Sequence, residues 1–394
     1  MKILRYMLTL TILFSFLLTE TTLTFSEDSQ VFASKNKTVR FDDDDDLALF
    51  TESHTTLDFH FLDVGQGDST LIVSDTGAAM LIDGGKPECG KEIVRYLNEA
   101  GIDKLEWVVA THPDIDHIGG LVEVLEEMDV EKVLDSGREH DTKTYQKYRK
   151  IIKDKKIDFF LAEEGERVKT KLADQVNVLN SYSDSDVRND SSIVLQIEYG
   201  DTNVLLAGDA TVVNEKDMMK KYDLESDIIK VAHHGSLTST GSEFIEKVDP
   251  EIAIIPFDKK NTFGHPNASV VNRLRNTGAD IYTTEHSGHI LVSLYKENMY
   301  ISKKPWTGKG RKFPTPVPRI HMANEKTYKI DKPVNINTAS KKEIAKLPHI
   351  SPVAAELVVE YKDANGPFRT KEELIKVSGV GKYTYKKINK YITT

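Results

Sequence analysis

The sequence predicts a layered α/β domain, helices outside sheets, followed by a small all-α domain. Three observations lead there. Between residues 57 and 302, short β-like runs bounded by Gly and Asp alternate with segments whose apolar residues recur at the α-helical period. Residues 303–333 then turn rich in proline and lysine, with Pro314, Pro316 and Pro318 in quick succession, a composition that favours extended, semi-rigid chain. Residues 334–394 read as short helices broken at Pro348, Pro352, Asn365-Gly366 and the Gly379 to Gly381 stretch.

In order, strands are expected at 58–64, 69–73, 79–82 and 107–111, with helices at 91–100 and 118–128. Later runs at 192–199 and 203–207 flank Gly200-Asp201 as a hairpin would. With 394 residues, 39% of them hydrophobic, the chain can bury a substantial core in two or three domains. Its formal net charge of -10 argues against a general polyanion coat, but the charge is unevenly spread. Cys89 is alone, so it forms no internal disulfide and is given no role.

Ahead of the first strand, Lys2 and Arg5 precede an apolar stretch over 6–18, the order of an export leader. Small residues at Ala33-Ser34, after Val31, place cleavage near Ala33 and predict a signal peptide over 1–33 and a secreted protein. An uncleaved anchor holding the chain at the cell surface is the rival, although the stretch is short of the roughly 20 residues a spanning helix needs. Residues 34–54, with the acidic run Asp42 to Asp46, are expected to be a solvated, disordered linker. The hydrolase-like body is then expected over 55–303, a Pro/Lys-rich linker over 304–332 and the helical domain over 333–394.

The most informative stretch is Thr111-His112-Pro113-Asp114-Ile115-Asp116-His117-Ile118-Gly119-Gly120, directly after a buried-strand pattern. Two imidazoles and two carboxylates on one loop can converge and offer ligands to divalent cations. More candidates stand at later strand ends: Asn189-Asp190, Asp209 after Leu205-Leu206-Ala207-Gly208, and His233-His234 after an apolar run. Chemistry presented from strand ends is the usual use of a rigid sheet. Asp63, Asp68 and Asp83 beside glycines suit turns as well as a site.

These motifs, in this order, resemble the metallo-β-lactamase superfamily, and most closely the soluble domain of ComEC-type competence proteins. The shared pieces also include Asp63-Val64-Gly65-Gln66-Gly67-Asp68, Lys230-Val231-x-His233-His234-Gly235-Ser236, Gly264-His265-Pro266, and Thr284 with Gly288. The resemblance implies an αββα sandwich and two divalent metal ions. His112, Asp114 and Asn189 or Asp190 would hold one ion, Asp116 with His233 or His234 the other, and Asp209 would bridge; His117 completes the motif. Asp116 and His265 would be catalytic, Asp116 by orienting the attacking hydroxide and His265 at the scissile phosphate. Asp68, Asp83, Asn189, Ser236 and Thr284 would support the ligands or touch substrate. Asp114 and the Asn189-Asp190 pair stand where the wider superfamily has histidines, and added oxygen ligands make Mn²⁺ a rival to Zn²⁺.

In the last segment, Gly379-x-Gly381 would let a turn between helices expose successive backbone N–H groups, a seat for a phosphate that ignores base identity. Eleven lysines and Arg369 face five glutamates and Asp363 between Lys332 and Thr394, so the module is basic on an acidic chain. With Val334-Asn335-Ile336-Asn337 and the Asn365-Gly366-Pro367-Phe368 turn, it resembles the helix-hairpin-helix domain of ComEA-type DNA receptors. Gly379, Val380, Gly381, Lys382 and Thr384 would hold the DNA backbone, with the first hairpin, around His349, mainly structural.

Together these readings predict a secreted metal-dependent nuclease acting on single- or double-stranded DNA. Two alternatives are a hydrolase of a small ester, lactone, lactam or cyclic nucleotide, and a non-catalytic DNA-binding accessory of DNA uptake. The sequence holds no series of long apolar segments from which a membrane channel could be built.

Overall fold

A computed structural model describes residues 37–41, 43–312, 330 and 332–394. The expected leader, its cleavage site and most of the Pro-rich connector lie outside the described residues. Two sheets face each other. The larger runs, in spatial order, Thr38–Arg40, Asn298–Ile301, Ile290–Tyr295, Leu57–Phe61, Thr70–Ser74, Ala79–Ile82, Lys104–Ala110, Asp129–Asp135 and Asp158–Leu161. The smaller runs Asp280–Thr283, Ile252–Ile255, Ile228–Lys230, Thr202–Leu206, Val194–Tyr199 and Gln175–Asn180.

Side-chain alternation sorts the strands into layers. Trp107 and Val109 point into the space between the sheets, against Ile193, Leu195, Leu206 and Ile254. Val108 and Ala110 point the other way, under the helices Gly90–Glu99, Leu121–Glu127 and Lys143–Lys155. On the far side, Ala253 and Ile255 pack against Val212–Lys221, Ser242–Val248 and Ala268–Asn276. This is the αββα order. Hydrophobic burial at about 25 cal/mol per Å² over three such layers is what holds it. Gly120 permits the tight joint below the His-Asp loop: a Cβ there would overlap the Gly84 carbonyl oxygen. The expected hairpin is present, with Tyr199 opposite Thr202 in an antiparallel pair.

The boundaries of the body differ from expectation at both ends. The acidic run, expected to be a disordered spacer, enters the helix Asp44–Ser53, and Thr38–Arg40 pairs in parallel with Asn298–Ile301. Leu47 is buried, Phe50 stacks on Tyr300 with centroids 4.2 Å apart, and Asp44 meets Ser302 and Lys303. Two apolar side chains and a cationic partner outweigh the local charge repulsion that the run suggests by itself. At the other end, Trp306 packs on the outer core and Arg311 exchanges backbone hydrogen bonds with Pro266 and Ala268, so residues 304–312 belong to the body as well.

The C-terminal segment has its own core of Ile336, Leu347, Ile350, Val353, Val358, Phe368, Leu374, Val380 and Ile388. Helices Lys341–Ile344, Pro352–Asn365 and Lys382–Ile388 surround it, joined by the 3-10 turn Lys371–Lys376. It is not wholly helical: Val334–Asn335 and Ile392–Thr393 form a short parallel pair that ties its two ends together. Leu161, the last residue of the larger sheet's edge strand, also joins this core, and its N–H donates to Ser378 Oγ at 2.8 Å. The edge that would otherwise present unpaired backbone is thereby covered.

Candidate metal centre

The strand Lys104–Ala110 ends in a loop and a single helical turn, Ile115–Ile118, that carries the first motif. The Thr202–Leu206 strand leads to Asp209, and the Ile228–Lys230 strand to His233 and His234, both at positive φ (51° and 53°). Three neighbouring strand ends thus deliver their side chains into one volume. Asp209 lies at its middle: its Oδ2 is 3.4 Å from His117 Nε2, 3.7 Å from His233 Nε2, and 3.9 Å from the Nε2 atoms of His112 and His234. Asp116 reaches the same group, 3.7 Å from His234 Nε2.

Among the described residues, His112 Nε2, His117 Nε2, His234 Nε2, Asp209 Oδ1 and Asp68 Oδ1 are buried without a hydrogen-bond partner. An orphaned buried polar group costs about 1–3 kcal/mol, so the three Nε2 atoms and Asp209 Oδ1, aimed at one place, need a common partner. Sets drawn from His112, Asp116, His117, Asp68, Asp83, Asp209 and His234 have donor atoms within 4.8 Å of one another. Imidazole nitrogens mixed with carboxylate oxygens suit a divalent cation of borderline hardness.

The surrounding bonds set each ligand's form. Asp83 accepts from Thr111 N at 2.9 Å and from Thr111 Oγ1 at 2.6 Å, and holds His117 Nδ1 at 2.7 Å, which turns Nε2 to the centre. His234 Nδ1 lies 3.1 Å from the Pro256 carbonyl and 3.3 Å from Asp68 Oδ1. Burial pushes His112 down to about 4, with His117 adding to it, so its imidazole is neutral as ligation requires. Burial also opposes charge on His117, but the Asp209 and Asp83 carboxylates outweigh it and lift the group well above the ordinary range. For Asp209, burial is overcome by His117, His233 and His234, which hold its carboxyl well below the usual value. The cluster already sets two signs of charge against each other.

Beneath it, the Lys230 ammonium meets the Asp68 carboxylate and donates to the Gly208 carbonyl at 2.9 Å. Both side chains are about 5% exposed or less. The sequence reading gave Lys230 no role, although a lysine closing the apolar strand Ile228–Lys230 was the signal to notice.

Other expected residues stand at the edge of this group or turn away from it. Asp114 pairs with Arg188, Nε to Oδ1 at 2.5 Å, and stands 4.0 Å from His112 Nε2. Asp190 is buried away from the centre and accepts from Thr211 Oγ1 at 2.6 Å. Its neighbour Asn189 turns inward instead, Nδ2 at 3.4 Å from Asp209 Oδ2. Of the two adjacent histidines, His234 is fully buried at the centre, while His233 sits at the rim, held 3.0 Å from Thr238 Oγ1. His265 lies beside both, edge-on to His233 at 5.3 Å between centroids and tilted to His234 at 6.1 Å. Burial, with those two imidazoles, takes its pKa down to about 3, so it can donate a hydrogen bond but carries no proton to give at neutral pH. Ser236 Oγ shapes its own turn, 3.0 Å from Thr238 Oγ1, and Thr284 is buried at the start of the turn Thr284–Ser287.

In the C-terminal domain, Lys382 is exposed, as are Lys386, Lys387 and Lys390 along the last helix and the turn after it. Gly379 and Gly381, expected to present open N–H groups, instead lie against Glu163: Gly379 N donates to its Oε1 at 2.9 Å.

Comparison with known proteins agrees with this architecture. The metallo-beta-lactamase superfamily matches residues 62–258 and a helix-hairpin-helix motif matches residues 330–393. The ComE operon protein 3 of Bacillus subtilis is 28% identical over 249 residues, 58% of this chain and 32% of its own length. Recombination protein 2 of Haemophilus influenzae is 29% identical over 271 residues, 66% of this chain and 32% of its own length. This chain therefore spans about a third of each. The ComE operon protein 1 of Bacillus subtilis is 42% identical over 60 residues, 15% of this chain and 29% of its own length. No helix among the described residues is long and apolar enough to cross a membrane. From the convergent His-Asp cluster, the αββα layers and these matches, the chain belongs to the metallo-beta-lactamase superfamily, a fold that implies divalent metal binding, and carries a helix-hairpin-helix domain at its C-terminal side.

Proposed function

We propose that the protein is an exported, metal-dependent phosphodiesterase that cleaves DNA, and that its C-terminal domain holds the nucleic acid through backbone contacts. One observation carries this reading: the Nε2 atoms of His112, His117 and His234 and Asp209 Oδ1, all buried and unpartnered, converge in a chain that also bears a basic helix-hairpin-helix domain. The competence proteins among its relatives support a place in DNA uptake, and export rests on the charged-then-apolar order of residues 1–19.

His112, His117, His234, Asp116 and Asp209 would hold the metal, with His233 and Asn189 at its rim. Divalent cations bound there supply Lewis acidity, lowering the pKa of water and steadying charge on a phosphate. Asp209 fixes the relative positions of the imidazoles; Asp83 and Asp68 orient His117 and His234 from behind. Asp116, whose carboxyl stays ionised because His234 and His117 overcome the effect of burial, accepts a hydrogen bond from attacking water and aims it. His265, neutral, donates a hydrogen bond to a phosphate oxygen.

Assaying single-stranded DNA, plasmid and a chromogenic lactam side by side tests the substrate class. The expected result is DNA turnover with Mn²⁺ or Zn²⁺ that chelator abolishes and added metal restores. Lactam turnover without DNA turnover would move the assignment to a small-molecule hydrolase.

The grip is tested separately. Replacing Lys382, Lys386 and Lys387 by Glu should lower DNA affinity and flatten its dependence on log salt by about 0.9 for each phosphate that is no longer neutralised. Turnover of a small phosphodiester should not change.

A further inference from the structure

The hairpins of the C-terminal domain are not open in this structure; each is occupied by an acidic side chain of the hydrolase body. Glu163 follows the edge strand Asp158–Leu161 and sits in the bend of the second hairpin. It accepts the Gly379 N–H at 2.9 Å, and a Cβ placed on Gly381 would overlap its carboxylate. The first hairpin repeats the pattern: His349, at φ 58°, donates its N–H to Asp184 Oδ2 at 3.1 Å. Asp184 lies on the loop leading to Arg188–Ser191, the turn that carries Asn189 to the metal centre.

A carboxylate presents to a pair of N–H groups what a phosphodiester presents: two oxygens sharing one negative charge. There is no room for both. A Cβ on Gly379 would come within 2.6 Å of Leu161 Cδ1, so a phosphate, larger than a methyl group, cannot enter while the edge strand is in place. The occupant is also one that can be displaced. Burial pushes the Glu163 carboxyl up to about 7, against the pull of the Gly379 N–H, whereas a phosphodiester is ionised throughout the physiological range.

We propose that Glu163 and Asp184 stand in for DNA phosphates and hold the helix-hairpin-helix domain docked on the hydrolase body, so that DNA engages the hairpins only by displacing both carboxylates. Docking and hairpin-mediated gripping are then mutually exclusive. The exposed lysines of the last helix stay available for first encounter, and exchange at the hairpins follows. Because Asp184 and Asn189 share one loop, releasing the first hairpin also frees a segment that borders the metal centre. The inference rests on the DNA-binding reading above.

Apparent affinity falls with the fraction of molecules in the competent state. The full chain and its Glu163→Gln/Asp184→Asn variant are therefore compared by fluorescence anisotropy on one labelled duplex at fixed salt. The variant is expected to bind about tenfold tighter, consistent with about one undocked molecule in ten before the change. Adding Gly381→Ala to it should abolish the gain, since the methyl group then fills the seat. Hydrogen exchange on the unmodified chain gives a readout independent of any substitution. Saturating DNA should raise exchange in 158–164 while 377–382 stays protected. Equal affinity of the two proteins, or unchanged exchange in 158–164 with DNA bound, overturns the inference and leaves the DNA-binding reading standing. Failure of every form to bind DNA removes that reading, and this one with it.

Discussion

Asp209→Asn is expected to lower DNA turnover by about a thousandfold or more while leaving DNA affinity and the fold intact. The substitution keeps the shape of the side chain but removes the charge that four imidazole Nε2 atoms approach within 3.4–3.9 Å. Losing a residue that only orients a ligand typically costs ten- to a hundredfold in metal affinity or activity, so the group at the centre of the cluster should cost more. The fold should survive because Asp209 lies at a strand-end loop, outside the apolar layers formed by Leu205 and Leu206. Turnover of DNA and binding to a labelled duplex, measured on the same preparation, separate the two effects. A matching loss of affinity would mean that the metal centre, and not the C-terminal domain, supplies the grip.

Lys230→Met should destabilise the protein by about 3–5 kcal/mol, because it leaves the Asp68 carboxylate buried without its cation. Burial pushes the Lys230 amine well below the ordinary lysine range, and its contact with the Asp68 carboxylate is the interaction that favours the charged form. Replacing both partners by apolar residues of similar volume is commonly near neutral. The double variant Lys230→Met/Asp68→Leu should therefore recover most of the lost stability in denaturant unfolding. It should recover none of the activity, since Asp68 also lies 3.3 Å from His234 Nδ1. Additive losses in the two single variants and their combination would show that the pair contributes no coupling.

The parts of this protein that were legible in its sequence share a physical cause. His112, Asp116, His117, Asp209 and His234 each stand at the end of an apolar strand, and in stacked sheets neighbouring strand ends must meet. The helical domain was legible through its punctuation, at Pro348, Pro352 and Gly379 to Gly381. What was not legible depends on partners distant in sequence. Arg188 beside Asp114 and Thr211 beside Asp190, partners that fix how far each carboxylate turns toward the centre, stand in other segments and leave no local mark. The acidic run at Asp44 read as a spacer because Tyr300 and Lys303, which fold it down, lie more than 250 residues away. Glu163 and Asp184 carry no local signal at all. They are ordinary surface acids until another domain brings backbone N–H groups against them.

One property decides the function, the capacity of the Asp209 cluster to hold divalent cations. Metal content of the folded, full-length protein after equilibration with excess Mn²⁺ or Zn²⁺ and removal of free ion measures it directly. The expected result is retained metal, two ions per chain when the site is saturated, and its loss in Asp209→Asn. A well-folded sample that retains none, or an Asp209→Asn variant that retains as much as the parent, would contradict it.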